Sequence, residues 1–114
     1  MKTIRGATTI ENNDEKEIEI AVKELLTEIL SKNKIEISKI QFVIFTCTSD
    51  ISAAYPAKFA RDIGFSAVPM LCTQEMRVIG SLPMCIRVLI TVDAEFTPKH
   101  IYLRQAINLR KDLI

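Results

Sequence analysis

Arg87 stands in the middle of "MCIRVLITV", residues 84–92, a stretch otherwise composed like a buried strand. Strand alternation puts Met84, Ile86, Val88, Ile90 and Val92 on one wholly apolar face and Cys85, Arg87, Leu89 and Thr91 on the other. A guanidinium on that second face must reach water or meet an anion, because an unpaired buried charge is strongly destabilising. Four other charges interrupt apolar or β-forming sequence: Arg5, Lys58, Arg61 and Glu75. Such a set can place charge against a small anion. A guanidinium suits that task better than an ammonium, because its fork is directional and it does not titrate near neutrality.

Other chemistries lack their residues. His100, the only histidine, follows Pro98 in a loop-like stretch without a serine or cysteine partner at a recognisable spacing, and it reads as a solvated loop histidine. One histidine without clustered carboxylates makes no metal site. Gly6, Gly64 and Gly80 are too far apart for a phosphate-cradling loop. Cys47, Cys72 and Cys85 are odd in number and lack C-x-x-C spacing, so they read as reduced thiols. Nothing here calls for a cofactor. Each candidate also has a plainer account: a salt bridge to Glu75 for Arg87, solvent-facing charge for Arg5, Lys58 and Arg61, half-buried packing for Tyr55 and Tyr102, and a small hydrophobe for Cys72.

The elements that must position these residues follow from periodicity. β-Formers around Gly6 predict a first strand over residues 2–10. Beyond Asn13, an expected N-cap, Ile18, Val22, Leu25, Leu26 and Ile29 recur at helical spacing behind an acidic first turn. "KIQFVIFTCT", residues 39–48, is apolar on both faces in its middle, which predicts a sheet covered on both sides. One long helix cannot cover two faces, so further copies of the chain are expected to do so. Pro56 opens a short helix that Gly64 ends, a strand follows near 66–71, "CTQEM" is turn-like, and short elements around "HIYL" and "AINL" close the chain. The order predicts one α/β or α+β domain with a mixed sheet, spanning residues 1–114.

Of the 114 residues, 48% are hydrophobic, enough for a core in a chain of this length. The net charge of +1 is unevenly spread: seven acidic residues and two lysines fall between Glu11 and Glu28, leaving 13 Lys+Arg against 7 Asp+Glu elsewhere. The basic excess is too dispersed for nucleic acid and suits a small anion. No apolar run is long enough to span a membrane, and the N-terminal stretch is unlike a signal peptide, so a cytoplasmic location is expected.

Taken together and in order, "IRGATTIE", "YPAKFAR", "CTQEM", "CIRVLITV" and "IYLRQAINLRKDL" resemble the monofunctional chorismate mutases of the trimeric α/β type, from Ile4 to Leu113. The resemblance implies a homotrimer, a pseudo-α/β-barrel of mixed sheets surrounded by helices, with active sites between subunits and chorismate, a dianion, as substrate. By that resemblance Arg87 faces the ether oxygen of the breaking bond, Glu75 binds the ring hydroxyl, and Cys72 lies beside it. Arg5 matches a carboxylate-binding arginine with Tyr102 as companion. Tyr55 matches an apolar wall position, Lys58 and Arg61 match cationic ones, and Leu109 an apolar one. Two readings from other classes stay open on the residues alone: a trimeric enamine or imine deaminase, and a non-catalytic trimeric anion-binding module.

Overall fold

The computed structural model describes residues 1–110. Its elements are β1 (Lys2–Thr9), α1 (Glu15–Asn33), β2 (Ile40–Cys47), α2 (Pro56–Ala60), β3 (Met70–Gln74), β4 (Cys85–Val92) and β5 (Ile101–Tyr102), with tight 3-10 turns at Ile37–Lys39 and Arg104–Asn108. The strands form one mixed sheet in the order β3-β2-β4-β1-β5; β4 runs antiparallel to β1 and β2, while β3 and β5 are parallel to their neighbours. This is the mixed α/β class the sequence predicts. No helix among the described residues is long and apolar enough to cross a membrane.

The helix α1 is capped by Asp14, whose Oδ1 accepts from the N–H groups of Lys16 at 2.7 Å and Glu17 at 3.4 Å, with Glu15 and Glu17 adding negative charge at the positive end of the helix dipole. Asn13, the expected cap, is used elsewhere. Its Oδ1 accepts from the N–H groups of Ser52 and Ala53, at 2.9 and 3.0 Å, and ties the loop before α2 to the start of α1. The inward stripe Ile18, Val22, Leu25, Leu26 and Ile29 is fully buried against Ile4, Phe45, Ile86, Val88 and Ile90 of the sheet. Gly6 lets α1 come this close: a Cβ there would lie 2.9 Å from Ile29 Cδ1 and 3.0 Å from Val88 Cγ1. After α2 the chain widens through Arg61–Phe65, where Gly64 turns it at a φ of 109°, a conformation that costs glycine little.

Two boundaries differ from expectation. Residues 66–69 lead into β3, and the strand runs on through Cys72 to Gln74, because parallel pairing from Val43↔Met70 to Cys47↔Gln74 supplies hydrogen bonds that outweigh the turn-like composition of "CTQ". Met84 lies outside β4, at a φ of 52°, with its N–H donating to Asp50 Oδ2 at 3.0 Å.

Within one chain the two faces of the sheet differ in coverage. In β2 the pairing skips Gln41, so Ile40 and Val43 both face the helices while Phe42, Ile44 and Thr46 share the opposite face. That face of the single chain is open: Phe42, Leu71 and Leu89 are 38%, 61% and 36% exposed. The side towards α1 and α2 carries the main core, and on the opposite side the chain itself packs only one end, around Ala7, Cys85 and Ala106.

Candidate active site

The open face is arranged by register. One row across it reads Leu71, Ile44, Leu89, Arg5; the next reads Thr73, Thr46, Arg87, Ala7, Tyr102. Arg87 and Arg5 are therefore diagonal neighbours on adjacent strands, both aimed away from the helices, for the same reason of strand alternation that buries Ile86 and Val88. Glu75 comes directly after β3, and its N–H continues the ladder by donating to the Cys47 carbonyl at 2.8 Å. That bond turns the Glu75 carboxylate back over the sheet. Its Oε2 accepts from the Thr46 hydroxyl at 2.5 Å and lies 3.6 Å from Arg87 Nε.

Arg5, Thr46, Glu75, Arg87 and Tyr102 line one cavity of about 240 Å³, with Ile44 and Leu89 as its apolar floor. The Arg87 and Glu75 side chains are 46% and 28% exposed. Ion pairs so open to water contribute at most about 1 kcal/mol to stability. The plainer account of Arg87, a salt bridge to Glu75, thus describes a real contact but gives the fold little reason to keep an arginine in this strand.

The other expected site residues divide. Leu109 packs with Tyr102 against Ala7, Cys85 and Ala106, where the last 3-10 turn closes one end of the open face. Cys72 is in register with buried Phe45 and therefore points to the helix side, away from Arg87. It lines a separate cavity of about 610 Å³ together with Tyr55, Lys58 and Glu15. In that cavity the Lys58 ammonium is held by Glu15 at 2.5 Å, and Tyr55 is 74% exposed. Arg61 is exposed just after α2 and lines neither cavity. Within one chain, then, Arg5, Glu75, Arg87 and Tyr102 come together with Leu109 at their margin, whereas Tyr55, Lys58, Arg61 and the Cys72 side chain do not join them.

Two residues were not in the expected set. Thr46 is the partner of both the strand and the carboxylate; its signal in the sequence was a lone hydroxyl in an apolar strand. His100, a solvated loop residue by its sequence context, is instead half-buried, and its Nδ1 accepts from the Arg5 backbone N–H at 2.9 Å. Burial, followed by the nearby Arg5 and Arg110 cations, pushes the ring's pKa down.

All three cysteines are free. Burial pushes the Cys47 thiol up to about 12, and burial likewise raises Cys85, an effect partly opposed by Arg87. Both are thiols at neutral pH, which does not suit nucleophilic work.

Comparison with known proteins gives the family. The profile of the family "chorismate mutase type I" matches residues 1–113. The chain is 43% identical to chorismate mutase AroH of Thermus thermophilus over 118 aligned positions, covering 99% of this chain and 96% of that protein. It is 38% identical to chorismate mutase AroH of Bacillus subtilis (strain 168), covering 99% and 92%. The structure of a chorismate mutase from Clostridium thermocellum superposes with a TM-score of 0.90 at 40% identity, covering 93% of this chain and 97% of that one. On this evidence, an enzyme with two arginines and a glutamate set on the open face of its sheet, the chain belongs to the chorismate mutase type I family.

Proposed function

We propose that the chain, a chorismate mutase by family, converts chorismate to prephenate on the open sheet face, with Arg87 at the ether oxygen of the breaking bond. The observation that carries this reading is the Arg87 guanidinium on that face, 3.6 Å from Glu75 and one strand from Arg5, in a cavity they share. The reaction is an intramolecular, concerted [3,3] shift. It needs no proton transfer and no covalent intermediate, which fits a site without a histidine or thiolate nucleophile. Its transition state is dipolar, with negative charge growing on the ether oxygen as the C–O bond lengthens. A fixed cation there binds the transition state more strongly than the substrate, and this difference lowers the barrier.

The remaining roles follow from charge and position. Arg5, with Tyr102 beside it, receives a substrate carboxylate; Glu75 accepts from the ring hydroxyl and, through Arg87 Nε, keeps the guanidinium directed. Holding both ends of the substrate selects the compact conformer in which the enolpyruvyl arm lies over the ring. Leu109 closes the apolar margin, and Cys72 contributes through the backbone of the strand that leads to Glu75.

A homotrimer completes the site. Phe42, Ile44, Leu71 and Leu89 leave an apolar band on the open face next to the cations, the composition expected of a face covered by another copy. Tyr55, Lys58 and Arg61 lie away from Arg87 in their own chain, so they act on the Arg87 cavity of a neighbouring copy. Three free cysteines suit a reducing compartment, the cytoplasm. The product feeds phenylalanine and tyrosine synthesis.

The test is the loss of chorismate's ultraviolet absorbance, with prephenate confirmed by acid conversion to phenylpyruvate, measured for wild type and Arg87→Ala at matched oligomeric state. Turnover by wild type and near-abolition in the variant is the expected result. Wild-type turnover by a folded Arg87→Ala protein removes Arg87 from the mechanism.

A further inference from the structure

The two-residue strand β5 carries Tyr102, yet so short a strand has little hold of its own. It is fixed at three points. Leu103 N–H donates to the Ala7 carbonyl at 2.9 Å. Asn33, buried at the end of α1, accepts from Lys99 N–H at 2.7 Å and donates to the Lys99 carbonyl at 3.0 Å, and also to the Ile29 carbonyl at 2.9 Å. The third point is His100. At the place where the β1–β5 ladder would next require a backbone acceptor for Arg5 N–H, the acceptor is the imidazole Nδ1 at 2.9 Å.

We infer that His100 is a positioning residue of the site: its neutral ring, proton on Nε2, locks the β1 backbone at Arg5 to the strand that carries Tyr102, and so sets both groups that receive a substrate carboxylate. This rests on the assignment of Arg5 and Tyr102 to substrate binding. An N–H can donate to Nδ1 only when that nitrogen is unprotonated. Protonation turns the acceptor into a second donor facing Arg5 N–H, and the lock opens. The charged groups that face the ring are the Arg5 guanidinium on β1 and Arg110 beyond the last turn, both of which oppose protonation, as does burial. The lock therefore stays closed at neutral pH and opens at a lower pH than an ordinary histidine would titrate.

The experiment compares chorismate turnover by wild type, His100→Leu, His100→Asn and Arg5→Ala, with kcat and KM determined separately as pH is lowered. Leucine keeps bulk without an acceptor. Asparagine offers an amide oxygen near the Nδ1 position that does not titrate. Loss of one neutral hydrogen bond at a substrate-binding residue is expected to raise KM about three- to tenfold in His100→Leu with kcat little changed. Wild-type KM is expected to rise on the acid side, and His100→Asn to restore KM and to lack that rise. Equal KM in wild type and His100→Leu, or equal impairment of the Leu and Asn variants, overturns the inference. Arg5→Ala separates the two layers: if it turns over like wild type, the carboxylate assignment itself fails, whereas an impaired Arg5→Ala beside an unimpaired His100→Leu removes His100 alone.

Discussion

Thr46 and Arg87 stand opposite each other across the β2–β4 ladder, and both address one oxygen, Oε2 of Glu75: the hydroxyl at 2.5 Å and the guanidinium Nε at 3.6 Å. A carboxylate held from two sides on a rigid sheet is aimed before any substrate arrives, which is the arrangement that preorganised electrostatics requires. Thr46→Val keeps the shape and removes the donor. We expect chorismate kcat/KM to fall about three- to tenfold, in proportion to one hydrogen bond, with little change in melting temperature, and Thr46→Ser to recover most of it. Unaltered kinetics in Thr46→Val would show that Glu75 does not need this hydroxyl.

At Arg87 the expected loss is far larger. Removing one preorganised donor at a developing oxyanion typically costs about a hundred- to a thousandfold in rate. Arg87→Ala should show at least that loss in kcat, and Arg87→Lys should retain a small part, because the ammonium keeps the charge but not the fork. A lysine variant as active as wild type would mean that charge alone, without direction, is sufficient.

Gly6 tests the packing of helix on sheet. An alanine methyl would meet Ile29 Cδ1 at 2.9 Å and Val88 Cγ1 at 3.0 Å, both in fully packed surroundings. Overpacking of this kind costs about 1–3 kcal/mol. Urea unfolding of Gly6→Ala should show a loss in that range, and a variant as stable as wild type would mean that α1 can move outward at no cost.

The apolar band beside the cations can be tested by charge. Leu71 is 61% exposed in the single chain, in the row with Ile44 and Leu89. If other copies cover it, Leu71→Glu must desolvate a carboxylate on assembly. Light scattering should then report a smaller species with reduced turnover. A Leu71→Glu protein that keeps the wild-type mass would place the covering surface elsewhere.

Cys47 makes stability depend on alkaline pH. Its thiol holds its proton more tightly in the folded chain, to about 12, than in the unfolded chain, where thiols titrate near pH 8.5. Above the unfolded value the unfolded state binds fewer protons than the folded one, so stability declines as pH rises towards 12. The urea midpoint is expected to drop between neutral and alkaline buffers, and Cys47→Ala to reduce that drop. Parallel pH profiles for the two proteins would remove this thiol as the cause.

Much of this architecture is legible in the sequence where the signal is local and repetitive. The stripe from Ile18 to Ile29 defines α1 and its buried face, and alternation in β4 already puts Arg87 opposite Ile86 and Val88. Alternation by itself gives two faces but not their surroundings. That the Arg87 face is open, and that Cys72 belongs to the helix side, depends on which strands pair and in what register, information held by residues far apart in the chain.

Local patterning gives the elements, the family likeness and the kinds of charge available: six arginines, one glutamate in "CTQEM", and no nucleophile–base pair at a recognisable spacing. Which groups meet depends on the folded chain. Thr46 meets Glu75 across 29 positions, and His100 meets the Arg5 backbone across 95. Asn13 leaves its expected cap for the Ser52 loop, and β3 lengthens through a turn-like segment, because in each case a distant backbone supplied hydrogen bonds that local preference could not outweigh.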